Sequence, residues 1–168
     1  MKGIMFNTEY GLEQAVLNGT KTRTWRADKK PRYEVGEIVA IKQCYKDVCY
    51  YFCEQDNRKY IDYIALYSHQ KGWLNKMFTR NEEMPHKIKI TKVTPCKLQD
   101  ITEEECLREG LNMFADGDGI VFFNFNNSRL PWYDTAKKAF ADLINELNGK
   151  VYWECNPDGY AYEFELVK

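Results

Sequence analysis

The sequence predicts an α+β protein, specifically a small mixed β-barrel with about three flanking helices. Many short apolar or alternating runs of strand length lie along the chain, while only a few segments place apolar residues at helical spacing. The length of 168 residues and the hydrophobic content of 44% are sufficient for one domain with a substantial core.

Short strands are predicted from one end of the chain to the other. Apolar runs predict the first two, and the alternation of isoleucine or valine with lysine predicts the third, with its apolar side inward. Aromatic and β-branched residues predict two closing strands around a turn at residues 156–159. The predicted strands cover residues 4–6, 38–41, 87–93, 151–153 and 160–167.

Three helices are predicted, each followed by a glycine suited to a left-handed C-cap. The first covers residues 8–19 with Thr8 as its N-cap, the second covers 102–110 and opens with a capping box, and the third follows Asp134 and stops at Gly149. Tyrosines at residues 60–67 fit a helix and a strand equally well, so the structure of this stretch stays open.

Composition limits the cellular setting. No apolar run approaches the roughly 18 residues of a membrane span, and Met1–Ile4 lacks the apolar segment of a signal peptide, so we expect a cytoplasmic protein without a membrane partner. The six cysteines form no CxxC pair, and His69 and His86 have no evident ligand partners. We therefore expect reduced thiols, partly in the core, and neither a metal nor a cofactor.

Charge is unevenly distributed although the net charge is only −1. Residues 21–32, here called the basic arm, contain six basic residues against the single acid Asp28, whereas residues 100–109 contain five acids against Arg108. A neutral protein is poorly suited to wrapping a long duplex, but a local basic arm suits a small anionic ligand or a short single strand. A solvated charged loop is the alternative interpretation.

The start of the basic arm carries the densest chemistry in the chain. The segment Gly-Thr-Lys-Thr-Arg-Thr-Trp-Arg at residues 19–26 combines hydroxyls and cations that bind phosphate with an indole that stacks on bases. These residues also have purely structural interpretations: Trp25 could be buried under the first helix, and Arg26 could form a salt bridge. The candidate ligand-binding residues are Thr22, Arg23, Trp25 and Arg26.

The order of motifs along the chain resembles the ASCH domain of the PUA-like superfamily, in the longer form common in phage and mobile elements. The resemblance runs from residue 2 to residue 167 and leaves residues 45–70 and 112–132 uncovered. We accordingly expect a single ASCH/PUA-like domain over residues 1–168, with insertions at about 45–80 and 112–132. The matching motifs are Gly-x-Lys-Thr-x-Thr-x-Arg at 19–26, Gly-Glu-Ile-Val at 36–39, Met-Pro at 84–85, residues 98–104, Glu-Gly at 109–110, Asn-Gly at 148–149, Trp153, Asn-Pro at 156–157 and residues 162–164.

This resemblance implies a small barrel with a cleft beside the first helix and a role with RNA or nucleosides. Some small ASCH proteins are amidohydrolases that remove an acyl group from the N4 amine of cytidine, and their motif implies catalytic roles for Lys21, Thr24 and Glu109. Other members are described as ribonucleases or RNA-binding modules.

The amidohydrolase chemistry makes a geometric demand on the basic arm. Thr24 would attack the amide carbonyl, Lys21 would take its proton, and Glu109 would serve the leaving amine. Residues three apart in a regular strand point to opposite faces, so Lys21 and Thr24 meet only if the segment turns. In a strand, Lys21, Arg23 and Trp25 would instead line one face as a binding surface.

Glu109 is also placed unusually for a stabilising residue. We expect it in the last turn of its helix, where the helix dipole and Glu105 disfavour its ionisation. A carboxyl group with a raised pKa would make a better acid or base, although a tolerated surface glutamate explains the same residue.

Three functions are consistent with these residues. The first is a binding module for RNA or a small nucleotide-like ligand, in a cleft beside the first helix. The second is the amidohydrolase just described, or a ribonuclease, and the third is a scaffold for a protein partner.

Overall fold

The predicted α+β class is confirmed, because helices and strands alternate along the chain. The computed structural model describes residues 1–55, 57–125 and 130–167. These residues fold as two compact units, one of residues 1–6, 38–88 and 167 and the other of residues 7–37 and 89–166. The strands are β1 (Lys2–Ile4), β2 (Arg23–Arg26), β3 (Ile38–Ile41), β4 (Lys87–Lys97), β5 (Asn112–Ala115), β6 (Val121–Asn124) and β7 (Asp158–Val167); the helices are α1 (Leu12–Leu17), α2 (Tyr45–Gln55), α3 (Asn57–Tyr67), α4 (Glu103–Leu107), α5 (Ala136–Asn148) and α6 (Tyr152–Cys155).

The first unit is built on a parallel pair of strands. β1 pairs with β3 so that Lys2 lies opposite Val39 and Ile4 lies opposite Ile41. Val39 and Ile41 have no exposed surface, as expected for a run of apolar residues that is covered on both faces. Three short 3-10 turns follow the helices of this unit, at Lys71–Trp73, Lys76–Phe78 and Asn81–Glu83.

Helices α2 and α3 carry an aromatic cluster. The rings of Tyr45 and Tyr67 lie 4.3 Å apart and those of Tyr63 and Tyr67 lie 4.2 Å apart, measured between centroids. The hydroxyl of Tyr45 donates to Glu83 Oε2 at 2.6 Å, which satisfies the polar end of a buried ring. Residues 60–67, for which the sequence left helix and strand open, are helical and belong to α3.

The second unit is centred on β7, which lies between β4 and β2. β2 runs antiparallel to β7, with Arg23 opposite Glu163 and Arg26 opposite Tyr160. Ile90 of β4 is buried, as the predicted alternation requires, and so is Ile88 of the same strand, which belongs to the first unit. A hairpin of β5 and β6 completes the strands of this unit. In neither unit do the described strands close into a barrel.

Two predicted helices of the second unit are confirmed with their caps. Thr102 Oγ1 accepts from the Glu105 amide and Glu105 Oε2 accepts from the Thr102 amide, so the capping box forms as predicted. A 3-10 turn at Leu98–Asp100 precedes it. Helix α5 is capped by the Thr135 side chain and ends at Gly149.

The chain differs from the prediction at both ends. Thr8 does not cap the first helix; it lies in a preceding turn, where its carbonyl accepts from the amide of Gly11, the N-cap residue. Residues 152–155 form α6 instead of the predicted strand, because the Trp153 amide donates to Asn145 Oδ1 and the Trp153 carbonyl accepts from Gln99 Nε2.

The expectation of about three helices was too low for the described residues, which form α2, α3 and α6 in addition to the three predicted helices. Residue 56 of the predicted 45–80 insertion and residues 126–129 of the 112–132 insertion lie outside the described part of the chain. Within that part, none of the helices is long and apolar enough to cross a membrane.

Candidate functional site

Lys21 and Glu109 meet in the interior of the second unit. Lys21 Nζ lies 2.6 Å from Glu109 Oε2 and also donates to the Glu109 backbone carbonyl at 2.8 Å. Only 1% of Lys21 and 3% of Glu109 is exposed. A buried pair of opposite charges is costly to desolvate and contributes little net stability, so its presence is a sign of function.

Arg23 brings a second buried cation to the same carboxylate. Its NH1 lies 3.0 Å from Glu109 Oε1, and its Nε lies 3.5 Å from Glu105 Oε1. Lys21 and Arg23 therefore hold the two oxygens of Glu109 from two directions. This cluster of Lys21, Arg23, Glu105 and Glu109 is called the ion cluster below.

Backbone hydrogen bonds explain why these distant segments meet. The Lys21 amide donates to the Ala15 carbonyl near the end of α1, at 2.8 Å. The amides of Thr22 and Arg23 both donate to the Arg108 carbonyl, at 3.0 and 3.1 Å. The residue before Glu109 is thereby fixed against the start of the basic arm.

Glu109 lies two residues beyond α4 and not in its last turn, which corrects the prediction. Its amide donates to the Cys106 carbonyl in a closing turn, and Gly110 follows with a left-handed φ of 99°. A Cβ atom on Gly110 would lie 3.1 Å from the Ala15 Cβ and 3.3 Å from the Lys21 Cβ. Glycine is thus needed both for the backbone conformation and for the close approach to Lys21.

Burial dominates the electrostatics of the ion cluster. It lowers the pKa of Lys21, while the Glu109 carboxylate opposes this change and the guanidinium groups of Arg26 and Arg23 reinforce it. Burial also lowers the pKa of Arg26, against the opposing effects of Tyr33 and Glu109. The Lys21 amine therefore loses its proton more readily than an ordinary lysine.

Thr24, the third residue of the amidohydrolase motif, lies within β2 opposite Tyr162 and is 5% exposed. Neighbouring residues of a strand point to opposite faces, which directs Thr24 away from the face of Arg23. The structure thus brings Lys21, Arg23 and Glu109 together and leaves Thr24 on the neighbouring strand position.

Trp25 is buried with 8% of its surface exposed. Its Nε1 lies 3.5 Å from the Cys96 carbonyl, and a Cβ on Gly159 would come within 2.5 Å of its ring. The half-buried Thr22 accepts from Arg108 Nε at 3.2 Å. Arg26 is half-buried at the end of β2.

Arg108 and Gly110 help to build the candidate site, and the sequence assigned no site role to either. Arg108 joins Thr22 to Glu163 of β7, through Nε to the Thr22 hydroxyl and NH2 to Glu163 Oε2 at 2.8 Å. The only signal for it was a lone basic residue among the five acids of residues 100–109.

The far end of the basic arm is tied to β7. Asp28 Oδ2 accepts from the Tyr162 hydroxyl at 2.9 Å, and Asp28 Oδ1 pairs with Arg32 NH2 at 2.9 Å. The Tyr162 hydroxyl also accepts from the Arg32 amide. Burial and the Asp28 hydrogen bond raise the pKa of Tyr162 to about 12.

All six cysteines are free thiols, and Cys49 and Cys106 are buried. Burial raises the pKa of Cys106 to about 12, so this thiol is a poor nucleophile. In the described ranges, no group of three or more histidine, cysteine, aspartate or glutamate side chains is arranged to hold a metal ion.

Comparison with known proteins finds no protein-family model, no curated protein and no solved structure that matches this chain. The resemblance to ASCH domains therefore depends on the order of motifs alone.

Proposed function

We propose that the second unit binds RNA or a nucleoside or nucleotide derived from it, and that the ion cluster is the polar centre of this binding site. The observation that carries the proposal is the buried contact of Lys21 and Arg23 with one carboxylate, Glu109. Such a cluster supplies donors for base carbonyl or phosphate oxygens and an acceptor for an exocyclic amine or a ribose hydroxyl.

Two further features support this placement. The Lys21 amide is bonded to α1, so the ion cluster lies beside the first helix, where the ASCH resemblance implies a cleft. Thr22, which bonds to Arg108, and Arg26, whose charge acts on Lys21, are only half-buried, which gives a ligand polar groups that it can reach. The resemblance also implies a PUA-like barrel, and the composition predicts a cytoplasmic location; we include both in the proposal.

Binding is tested by calorimetric titration with cytidine, its 5′-monophosphate and a short single-stranded RNA. Lys21→Met and Glu109→Gln should each weaken the tightest of these ligands about tenfold or more, as expected for the loss of a charged hydrogen bond. Lys138→Met is the matched control, because Lys138 is an exposed lysine of α5 that pairs with Asp134. Equal affinity in all three variants and the unchanged protein would refute the site.

An amidohydrolase acting on N4-acylated cytidine is the second candidate, and the Lys21–Glu109 contact specifically favours it. A lysine whose pKa is lowered by burial is a better base at neutral pH. Thr24 Oγ would attack the acyl carbonyl as its proton passes to Lys21. The C–N bond would then break as a proton from the Lys21–Glu109 pair reaches the N4 amine, and water would hydrolyse the Thr24 ester to free acid.

This reaction is tested by incubating the protein with N4-acetylcytidine and measuring cytidine and acetate. If the mechanism holds, Thr24→Ala abolishes the release, Thr24→Ser retains part of it, and both variants bind cytidine within a few-fold of the unchanged protein. Absence of release by the unchanged protein leaves only the binding function. A labelled RNA substrate in the same experiment examines the ribonuclease alternative.

A further inference from the structure

A cavity opens at the opposite end of β2 from Lys21. It has a volume of about 500 Å³ and is lined where three strand ends come together, by residues 27–29 after β2, 95–97 of β4 and 158–160 of β7, with Asp100 beside them. Small-molecule sites commonly enclose about 300–1,000 Å³, so the cavity can accommodate a ligand of nucleotide size.

Access distinguishes this cavity from the ion cluster. Lys21, Arg23 and Glu109 are each no more than 3% exposed, whereas Lys29, Lys97 and most other residues of the cavity wall lie at the surface. A ligand can therefore enter the cavity without any rearrangement of the chain.

Some of the charged groups that line the cavity already have partners within the protein, and others are exposed. Asp28 is engaged at both oxygens, by Arg32 and by the Tyr162 hydroxyl. Asp100 is held in place by the Lys97 amide, which donates to its Oδ2 at 3.0 Å. Setting Asp28 aside, the cavity presents the exposed lysines Lys29 and Lys97 and the exposed acids Asp100 and Asp158.

A glycine and two aromatic residues form one side of the cavity or lie behind it. Gly159 lies in the wall, and a Cβ there would meet the Arg26 carbonyl at 2.4 Å and the Trp25 ring at 2.5 Å. Trp25 thus lies directly behind the wall and contacts it again at the Cys96 carbonyl. The half-buried Tyr160 supplies a second ring, on the cavity side.

We propose that this cavity is a nucleoside monophosphate subsite, in which Lys29 and Lys97 bind the phosphate, Asp100 and Asp158 accept from sugar hydroxyls or base amines, and Tyr160 offers a face to the base. The two lysines favour a phosphate, and the two carboxylates favour a nucleoside, whose hydroxyls and amines donate to them whereas inorganic phosphate offers neither group. The ligand is either a free mononucleotide or the terminal nucleotide of an RNA. This inference rests on the proposed function, because it names where the nucleotide portion of that ligand is held.

Calorimetric titration with AMP, adenosine and inorganic phosphate tests the subsite, with Trp25 fluorescence as an independent signal. The Lys29→Ala/Lys97→Ala double variant should bind AMP about tenfold or more weakly than the unchanged protein, while its affinity for adenosine should change by less than about twofold. The control is Lys30→Ala/Lys150→Ala, which removes the same charge from two exposed lysines outside the cavity. Asp158→Asn should lower the affinity for AMP and for adenosine by the same factor. Asp118→Asn, in the turn between β5 and β6, should leave both affinities unchanged.

The source of the nucleotide is examined with a single-stranded RNA hexamer carrying a 5′-phosphate, compared with the same hexamer lacking it. Tighter binding of the phosphorylated hexamer than of AMP assigns the subsite to an RNA end, and the reverse assigns it to a free mononucleotide. Equal weakening of AMP by the two lysine double variants would overturn the proposal, because the attraction would then be unspecific. No binding of AMP at millimolar concentration, or binding no tighter than that of adenosine, would also overturn it.

Failure of the two proposals can be told apart. If Lys21→Met lowers the affinity for the nucleotide and the Lys29→Ala/Lys97→Ala variant does not, the subsite is refuted and the ion cluster remains the binding site. If the cavity variant weakens AMP and Lys21→Met does not, the subsite stands and the assignment of the ion cluster fails.

Discussion

Glu109 should be harder to replace than Lys21, although the two side chains form one ion pair. Replacing Glu109 by glutamine leaves two buried cations, Lys21 and Arg23, without their shared negative charge. Replacing Lys21 by methionine leaves Glu109 still paired with Arg23 NH1 at 3.0 Å. The structure therefore predicts an asymmetric effect on the free energy of unfolding.

The magnitudes follow from the burial of these groups. An uncompensated buried charge costs about 3–5 kcal/mol, which is the expected loss for Glu109→Gln. Lys21→Met removes the hydrogen bonds of Lys21 Nζ to the Glu109 carboxylate and carbonyl but strands no charge, and the charged hydrogen bond accounts for an expected loss of about 1.5–3 kcal/mol. In the double variant Lys21→Met/Glu109→Gln, removal of one of the two stranded cations should restore part of the stability.

Urea denaturation at pH 7, followed by far-UV circular dichroism, measures these differences. The values should change little between low and high salt, because buried charges are weakly screened. Glu104→Gln is the control on the exposed face of α4, and its effect should stay within about 0.5 kcal/mol. A loss in Lys21→Met equal to or larger than that in Glu109→Gln would contradict the shared role of Arg23.

Three other measurements check the structure. Gly110→Ala should destabilise the protein by about 1–3 kcal/mol and by more than Gly19→Ala, since both glycines have a positive φ but only Gly110 has crowded surroundings; equal losses would refute the packing argument. Gly159→Ala should shift the fluorescence spectrum attributable to Trp25, because its Cβ displaces the indole; an unchanged spectrum would place the ring elsewhere. Tyr162, with its pKa raised to about 12 from 10, stabilises the fold below pH 10 and loses that stabilisation as the pH rises from 10 to 12, by about 2–3 kcal/mol; Tyr162→Phe should reduce the alkaline loss by this amount, while Tyr67, whose pKa is also raised to about 12, retains its own share, and an undiminished loss would contradict the prediction.

Elements with local signals were predicted well from the sequence. The alternation in β4 places Ile88 and Ile90 inside, and the capping box of α4 involves only Thr102 and Glu105. Because each signal lies within one element, no knowledge of distant residues is needed to interpret it.

Elements held by distant residues were predicted poorly. The strand composition of residues 151–153 is overridden in α6 by side chains of Asn145 and Gln99. The tyrosines at 60–67 suit a helix or a strand, and packing against Tyr45 decides for a helix. In both cases tertiary contacts outweigh local preference.

The candidate site was predicted in part. The ASCH resemblance grouped Lys21 with Glu109, and the extended interpretation of the arm placed Lys21, Arg23 and Trp25 on one face; in the structure Lys21 and Arg23 both contact Glu109. The role of Gly110 could not be foreseen, because it depends on how closely Lys21 approaches a distant turn. Participation of Thr24 in catalysis stays a prediction.

The register of β2 against β7 affects the order of events during protein synthesis. Arg23 is matched with Glu163, so the ribosome adds most of the chain before the described partner of β2 exists. At about 5–20 residues per second, this interval is on the order of ten seconds. Throughout it the nascent β2 lacks that neighbour, and a ribosome stalled ahead of β7 would carry an unpaired strand available to chaperones or to a second nascent chain.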